Sequence, residues 1–355
     1  MLRTLFSTRT LTWLVLAGLT LETCARLEDT LRYGAPFQGV YDSDGIYTYG
    51  ANGKQGRPHA AYLKWKLNEA GFRGPALRHA AYRIVCLGAS ETFGLYESEG
   101  AEWPRRLEHE LNRSTPRRSF EVVNAAYPGM TLANNLRQLD DTIDALHPGM
   151  VLVYPSYTGY IEPGSGAPLA LPKRRWEFRM RSRLDTLLKR SLPDDVQDAL
   201  RKLELKLNER HVAPEERVPD SVIARFENDL DRLTTDLRAR GIDVVLITHA
   251  TRFGGAVRPE ERRFLIAWRK FYPRLAEAGF LDMEQRMRDA MLRVGARASA
   301  PVIDAATLLP PGSVNFVDFS HFTDQGAGAL AALVAGNLRT LLPAAARVLN
   351  TAAVR

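Results

Sequence analysis

Short apolar runs recur along the chain from position 82 onward, and stretches with helical periodicity separate them. Each run is three to six residues long and most are rich in β-branched residues, as is typical of strands that are buried on both faces of a parallel sheet. The runs are Tyr82–Leu87, Phe120–Val123, Met150–Tyr154, Ile242–Ile247 and Pro301–Ile303. This pattern predicts five buried strands.

Helical segments lie between these runs, at Glu102–Asn112, Leu132–Leu146 and Ser221–Arg240. Strands that alternate with helices form a parallel sheet with helices on both of its faces. The pattern therefore predicts a flavodoxin-like three-layer α/β/α sandwich with a central parallel five-stranded sheet.

The connection between the third and fourth runs is longer than a single crossover helix requires. It extends over 87 residues, from Pro155 to Gly241, and passes from Gly/Pro-rich sequence into charged helical sequence. We expect a helical insertion at about 159–215 within a domain that spans 81–345. An irregular, turn-rich lead-in at 27–80 precedes this domain.

The amino terminus carries an apolar run, Leu11–Leu21, which has no charge over eleven residues and follows Arg3 and Arg9. Its length fits a signal peptide, and an extension through Ala25 would make it an uncleaved anchor. Residues 1–26 are predicted to be a signal peptide or N-terminal membrane anchor. Either form gives an exported domain, periplasmic or anchored to the inner membrane, because the positive charges lie on the N-terminal side. A buried N-terminal helix of a soluble protein is the alternative.

Composition and charge exclude several classes of protein. The 355 residues are 45% hydrophobic and 25% charged, which argues against a mostly disordered chain and against a multi-span membrane protein. Two cysteines exclude a disulfide-dense scaffold, and seven scattered histidines give little support to a metal site. No metal or other cofactor is expected.

The net charge of +7 is partly local, since eight Lys or Arg stand against two acids in Lys173–Arg190. This segment could rest on an anionic lipid surface, and the alternative is a solvated helical face. No nucleic-acid-binding motif accompanies it, so no nucleic-acid partner is expected.

The first apolar run ends at a serine between two glycines, in the order Gly88, Ser90, Gly94. Ligands of a doubly wound sheet bind beyond the carboxyl ends of its strands, and glycines there allow a sharp turn. Ser90 is therefore a candidate nucleophile if a base can reach it. Taken alone, the motif favours a serine that caps a helix.

A candidate base lies near the other end of the chain, where Asp318 and His321 are three residues apart. On a tight turn, this spacing can bring the carboxylate to one imidazole nitrogen and leave the other free to take a serine proton. The alternative is that Asp318 and Asp324 cap the last helix and His321 is a surface residue. His249, after the fourth run, is interpreted as a structural histidine.

Over about residues 67–340, the sequence resembles the SGNH hydrolases, or GDSL esterases and lipases, of the bacterial membrane-associated type. Four motifs carry the resemblance. They are Asn68–Gly74 in the lead-in; Gly88, Ser90, Thr92 and Gly94; Asn124 with Gly129; and Asp318 with His321.

The resemblance implies that Ser90 is the nucleophile, His321 the base and Asp318 the acid that orients it. The family's oxyanion glycine is replaced by Ala126, which keeps the backbone N–H, and the third-block asparagine is absent. Tyr157 falls in its place, and the hydroxyl of Tyr157 or Thr158 is a candidate substitute.

The predicted function is that of an exported serine esterase, which cleaves an acetyl or other acyl ester on a glycan or lipid through an acyl-enzyme. The expected partners are this substrate and a membrane surface. One alternative is an O-acyltransferase that acts on envelope polysaccharide, because the same acyl-enzyme serves both reactions. The other is a catalytically degenerate member that binds or scaffolds, which the missing asparagine favours.

Overall fold

A computed structural model describes residues 8–78, 82–114, 120–161, 178–180, 183–184, 187, 191–209, 214–254, 257–269, 271–272 and 274–345. The amino-terminal part comprises α1 (Thr8–Tyr33), β1 (Tyr47–Gly50), β2 (Gly53–Gly56), β3 (Ala61–Tyr62) and β4 (Trp65–Lys66). The first half of the sheet domain comprises β5 (Tyr82–Gly88), α2 (Ser90–Phe93), α3 (Trp103–Ser114), β6 (Phe120–Asn124), α4 (Leu132–Arg137), α5 (Leu139–Leu146) and β7 (Met150–Tyr154). The rest comprises α6 (Asp194–Glu209), α7 (Asp220–Ala239), β8 (Asp243–Ile247), α8 (Arg262–Arg269), α9 (Glu277–Ala298), β9 (Val302–Ile303), α10 (Ala305–Leu308) and α11 (Asp324–Ala345).

The central sheet has five parallel strands in the order β6-β5-β7-β8-β9. The first strand of the sheet therefore lies inside it, between the second and the third, which is the flavodoxin-like order. This arrangement confirms the predicted fold class. All five strands end at the same edge, so the segments that follow β5, β7 and β8 are brought together there.

Alternate residues of the strands face the two helical layers. Ile84 and Cys86 of β5 belong to the apolar core with α3 and α11, and Val85 and Leu87 belong to the core on the opposite face. A strand with apolar side chains on both faces has no solvent-exposed side, which explains why the runs are continuously apolar.

All five strands of the central sheet begin and end within one residue of the runs predicted from the sequence. The clearest difference is the predicted helix Leu132–Leu146, which the structure divides into α4 and α5 at Gln138. The Gln138 amide donates hydrogen bonds to the backbone carbonyls of Asn52 and Lys54. The break therefore lies where this helical pair is hydrogen-bonded to the β1–β2 hairpin.

The lead-in contains two antiparallel hairpins, β1–β2 and β3–β4. After them, the Asn68 carboxamide oxygen accepts the backbone N–H of Ala70 and Phe72. This turn directs Arg73 into the core, where its buried guanidinium donates to the backbone carbonyl of Gly94. The lead-in motif thus stabilises the segment that follows Ser90 through the hydrogen bond from Arg73.

Helix α1 extends past the predicted boundary at position 26. Its first half exposes apolar side chains, Leu11, Trp13, Leu14, Val15, Leu16, Leu19 and Leu21. In its second half, Asp29 pairs with Arg183, whose Nη2 lies 2.6 Å from Asp29 Oδ1. Among the described helices, none has the length and apolarity that crossing a membrane requires.

The basic segment Lys173–Arg190 lies largely outside the described residues. Two of its arginines contact α1. Arg179 Nη1 lies 3.6 Å from Asp29 Oδ2, and Arg183 forms salt bridges with Asp29 and Glu28. Of the predicted insertion, α6 is described, whereas 162–177 are not.

Candidate active site

Ser90 is the first residue of α2, immediately beyond the carboxyl end of β5. The turn before it requires glycine at position 88, because a Cβ there would lie 2.2 Å from Thr92 Oγ1 and 2.6 Å from the Tyr154 carbonyl oxygen. α2 ends at Phe93 and is capped by Gly94, whose φ of +85° is in the left-handed region. The two glycines of the motif therefore shape the turn that presents Ser90.

Asp318 and His321 form the tight turn that the sequence predicts. Asp318 Oδ2 lies 2.8 Å from His321 Nδ1, and Asp318 Oδ1 accepts the backbone N–H of Ser320 and of His321 at 3.1 and 2.9 Å. The carboxylate thus fixes both the turn and the imidazole ring. His321 Nε2 is buried and has no hydrogen-bond partner among the residues that the structure describes.

The Ser90 turn and the His321 turn meet at Glu91. Ser320 Oγ donates to Glu91 Oε1 at 3.0 Å, which joins the residue after Ser90 to the residue before His321. The Ser90 hydroxyl itself donates to Glu91 Oε2 at 3.2 Å rather than to His321. The structure therefore brings the two predicted halves of the site together, with the Ser90 hydroxyl hydrogen-bonded to the Glu91 carboxylate.

The charges around His321 favour its protonated form. Burial by itself lowers the pKa of His321, but the Asp318 hydrogen bond and the charges of Glu91, Asp318 and Glu97 raise it above its ordinary value. The ring is also packed edge-on against Tyr96, with centroids 5.3 Å apart. An imidazolium that forms when a serine proton is transferred would be stabilised here.

The second block of the family motif lies beside the Ser90 turn. The Asn124 amide donates to the Thr92 carbonyl at 2.8 Å, and its oxygen accepts the Ala126 N–H at 3.3 Å. The N–H predicted to bind an oxyanion is therefore engaged by a neighbouring side chain. Gly129 has a φ of +80°, which accounts for glycine at that position.

Tyr157 is fully buried behind the site. Its hydroxyl donates to Met291 Sδ at 3.2 Å and accepts the backbone N–H of His249 at 3.3 Å. Thr158 begins a short 3₁₀ helix, and its side chain lies outside the described residues. A role for either hydroxyl in binding an oxyanion stays a prediction.

Sequence reasoning missed the ionisable groups beneath Ser90. Glu91 follows Ser90 directly, so its carboxyl group could have been placed at this turn from the sequence. Glu284 on α9 gives no sequence signal. His249, interpreted as structural, is buried between these carboxylates, with Nδ1 2.9 Å from Glu284 Oε2 and Nε2 3.5 Å from Glu91 Oε1.

Within the described ranges, no three His, Cys, Asp or Glu residues form a group suited to a metal ion. The chemistry available at this edge of the sheet is that of a hydroxyl, two imidazoles and several carboxylates.

The fold is similar to those of several solved esterases and lipases. A lipolytic protein of the G-D-S-L family from Desulfitobacterium hafniense is 12% identical over 72% of this chain and 98% of its own, with a TM-score of 0.42. A lipase/acylhydrolase from Enterococcus faecalis is 16% identical over 73% and 95%, with a TM-score of 0.44. An acetylxylan esterase from Geobacillus stearothermophilus is 12% identical over 72% and 93%, with a TM-score of 0.42.

Neither the protein-family models nor the curated proteins give a match to the sequence. The likeness to the solved structures is one of fold.

Proposed function

We propose that the protein is a serine ester hydrolase in which Ser90 is the nucleophile, His321 the general base and Asp318 the residue that orients the base. The observation that carries this proposal is the Asp318–His321 pair, whose Nε2 is buried and unengaged within the described part of the chain. Its turn is hydrogen-bonded to the Ser90 turn through Ser320 and Glu91. An imidazole held at one nitrogen and free at the other can accept a serine proton.

The reaction begins when the Ser90 hydroxyl leaves Glu91 and donates its proton to His321 Nε2. Ser90 Oγ bonds to the ester carbonyl carbon, and collapse of the tetrahedral intermediate breaks the bond to the alcohol oxygen, which takes the proton from His321. Water, deprotonated by the same nitrogen, then attacks the acyl-enzyme. The acid is released and the proton returns to Ser90.

Stabilisation of the oxyanion is assigned to the backbone N–H of Ser90 and of Ala126, with the hydroxyl of Tyr157 or Thr158 as a further donor. The Ser90 N–H begins α2, and the first N–H groups of a helix have no partner within it. The Ala126 N–H would have to leave Asn124 Oδ1, at 3.3 Å, to reach substrate. One such donor typically contributes about 10²–10³-fold in rate.

The substrate is proposed to be an acetyl or other acyl ester of a glycan or lipid, reached outside the cytoplasm beside a membrane. The support is the apolar run Leu11–Leu21 after Arg3 and Arg9, together with the apolar side chains that the first half of α1 exposes. We expect an alkaline phosphatase fusion at the C-terminus to be active and a fusion that works only in the cytoplasm to be inactive. The opposite pattern would refute export.

The function is tested by labelling with a fluorophosphonate probe and by hydrolysis of p-nitrophenyl acetate. Ser90→Ala and His321→Ala should each abolish turnover, and Ser90→Ala should abolish labelling, while the thermal unfolding midpoint changes little. Matched controls are Ser191→Ala and His109→Ala, which change the same residue types at exposed positions. If the variants at 90 and 321 keep the activity of their controls, the proposed function is wrong.

A further inference from the structure

We propose that Glu91 is a further catalytic residue, which holds the resting Ser90 hydroxyl and stabilises the His321 imidazolium, and that His249 and Glu284 are positioning residues that keep Glu91 ionised. The inference rests on the proposed function. It assigns a role to three ionisable groups, Glu91, His249 and Glu284, that the mechanism of Ser90, His321 and Asp318 does not use.

The first argument is the continuity of the contacts. Ser90 Oγ lies 3.2 Å from Glu91 Oε2, and Glu91 Oε1 faces His249 Nε2 at 3.5 Å. The other nitrogen of His249 lies 2.9 Å from Glu284 Oε2. The chain of contacts runs from the nucleophile through a carboxylate and an imidazole to a second carboxylate on α9.

The second argument is burial. The side chains of Glu91 and His249 are 3% and 1% exposed. Two carboxylates cannot both be ionised in such a place without a counter-charge, because removing a carboxylate from water costs several kcal/mol. His249 supplies that charge when it is protonated at both nitrogens and donates to both neighbours.

The ionisation states agree with this arrangement. Burial lowers the pKa of His249, but Glu284 and Glu91 together raise it to about 10. Burial raises the pKa of Glu91, and the His249 hydrogen bond with the charges of His321 and His249 lowers it to about 2. For Glu284, burial dominates and raises the pKa. Glu91 is therefore a carboxylate at neutral pH.

An ionised Glu91 acts on both reacting groups. It accepts a hydrogen bond from the Ser90 hydroxyl in the resting state, which keeps the hydroxyl ordered, and its charge raises the pKa of His321. Its bond to Ser320 Oγ also fixes the distance between the two turns. When the Ser90 proton moves to His321 Nε2, Glu91 remains unprotonated and faces a new positive charge.

Other titratable groups also lie near Glu91, His321 and His249. His321 is also surrounded by Asp318, Tyr96 and Glu97, and burial raises the pKa of Glu97 to about 7. The ring centroid of Tyr154 lies 5.7 Å from that of His249, and burial raises the pKa of the Tyr154 phenol, so it stays neutral. The experiment must therefore separate Glu91 from Glu97.

The test compares the pH dependence of kcat/KM for p-nitrophenyl acetate in the wild-type protein and in Glu91→Gln. Glutamine keeps the shape and one acceptor oxygen but removes the charge, so the pKa of His321 falls and the acid limb moves to lower pH. We expect kcat to fall about tenfold with KM nearly unchanged, because the imidazolium that forms in the transition state loses a neighbouring negative charge. The Glu97→Gln variant shows how far the charge of Glu97 shifts the acid limb of kcat/KM.

The matched control is Glu121→Gln, which makes the same change at a carboxylate that is 4% exposed and pairs with Arg83 near the opposite end of the strands. It should leave the acid limb in place. His249→Gln removes the counter-ion of Glu91 and should move the limb in the same direction as Glu91→Gln. In the double variant with Glu91→Gln, His249→Gln should add no further movement, because it acts through Glu91.

If His249→Gln does not fold, Glu284→Gln is the second variant, since it removes only a charge and its site is partly accessible. Glu91→Gln with unchanged kcat and an unmoved acid limb would overturn this inference. Fluorophosphonate labelling of Ser90 in the same samples separates the two proposals. If the wild-type protein is labelled and active and Glu91→Gln changes neither kcat nor the acid limb, only the role of Glu91, His249 and Glu284 is refuted. If Ser90 of the wild-type protein is not labelled, the proposed function is refuted.

Discussion

Replacing Asp318 by asparagine should abolish esterase activity without unfolding the protein. Asp318 Oδ1 accepts the two backbone N–H groups of the turn, at 3.1 and 2.9 Å, and an asparagine oxygen can accept both. The amide nitrogen then takes the place of Oδ2, which lies 2.8 Å from His321 Nδ1. It offers a proton where the carboxylate accepted one, so Nδ1 becomes the acceptor and the proton of the neutral ring moves to Nε2.

In that tautomer, Nε2 already carries a proton and cannot take one from Ser90. The known size of such a tautomer effect in serine hydrolases is about 10⁴-fold in kcat, and we expect a loss of this order here. The stability should change by less than about 1 kcal/mol, since Asp318 is partly exposed and the turn keeps its acceptor.

The assay is single-turnover release of p-nitrophenol at pH 7, with thermal unfolding measured on the same samples. Asp324→Asn is the control, because its carboxylate accepts the backbone N–H of Ser98 rather than holding the His321 ring. An Asp318→Asn variant with more than a tenth of wild-type kcat would show that Asp318 does not set the tautomer. Loss of activity together with loss of the folded state would be explained by the turn alone.

Further predictions concern the turn, the buried ion pairs and the oxyanion donors. Gly88→Ala should lower the free energy of unfolding by about 1–3 kcal/mol in urea titrations, because the new Cβ would overlap Thr92 and the Tyr154 carbonyl. Gly336→Ala on α11 has open space around the new Cβ and should raise the free energy of unfolding by about 0.5–1 kcal/mol. The pKa of His249 rises from 6.5 to about 10 on folding, so the folded state binds a proton that the unfolded state releases between these pH values. The stabilisation from this proton is complete below pH 6.5 and is lost as the pH rises through 10. The free energy of unfolding should therefore decline over that window, and it should decline less steeply in Glu284→Gln. The double variant Tyr157→Phe, Thr158→Val should lower kcat by about 10²-fold with KM unchanged, and full retention of kcat would remove both hydroxyls from the oxyanion site.

The strands could be predicted from the sequence because each is buried on both faces and therefore reads as a continuous apolar run. Helix boundaries were harder to predict where a contact from elsewhere in the chain decides them. Gln138 is an ordinary helix residue in its local sequence, and it marks a break because its amide reaches the hairpin carbonyls of Asn52 and Lys54.

The same contrast holds in the candidate site. Asp318 and His321 are three residues apart, so a local turn suffices to pair them, and the structure contains that pair. The network of Glu91, His249 and Glu284 spans three distant elements, and its partners become visible only when the sheet order is known. The Ser90 hydrogen bond to Glu91 also could not be inferred from motifs, since it depends on a side-chain orientation.

The contacts at the end of α1 have a consequence for how the protein would be mounted on a surface. Glu22 accepts the backbone N–H of Met180 at 3.0 Å and pairs with Arg26, so the helix becomes part of the folded chain directly after Leu21. A peptidase cut after Ala25 would remove Glu22 and with it the salt bridge between Glu22 and Arg26. The uncut helix has no flexible linker between its apolar half and these contacts. If that half is embedded in lipid, the sheet domain is held at a fixed height and orientation, and under the proposed function only esters presented at that height can reach Ser90.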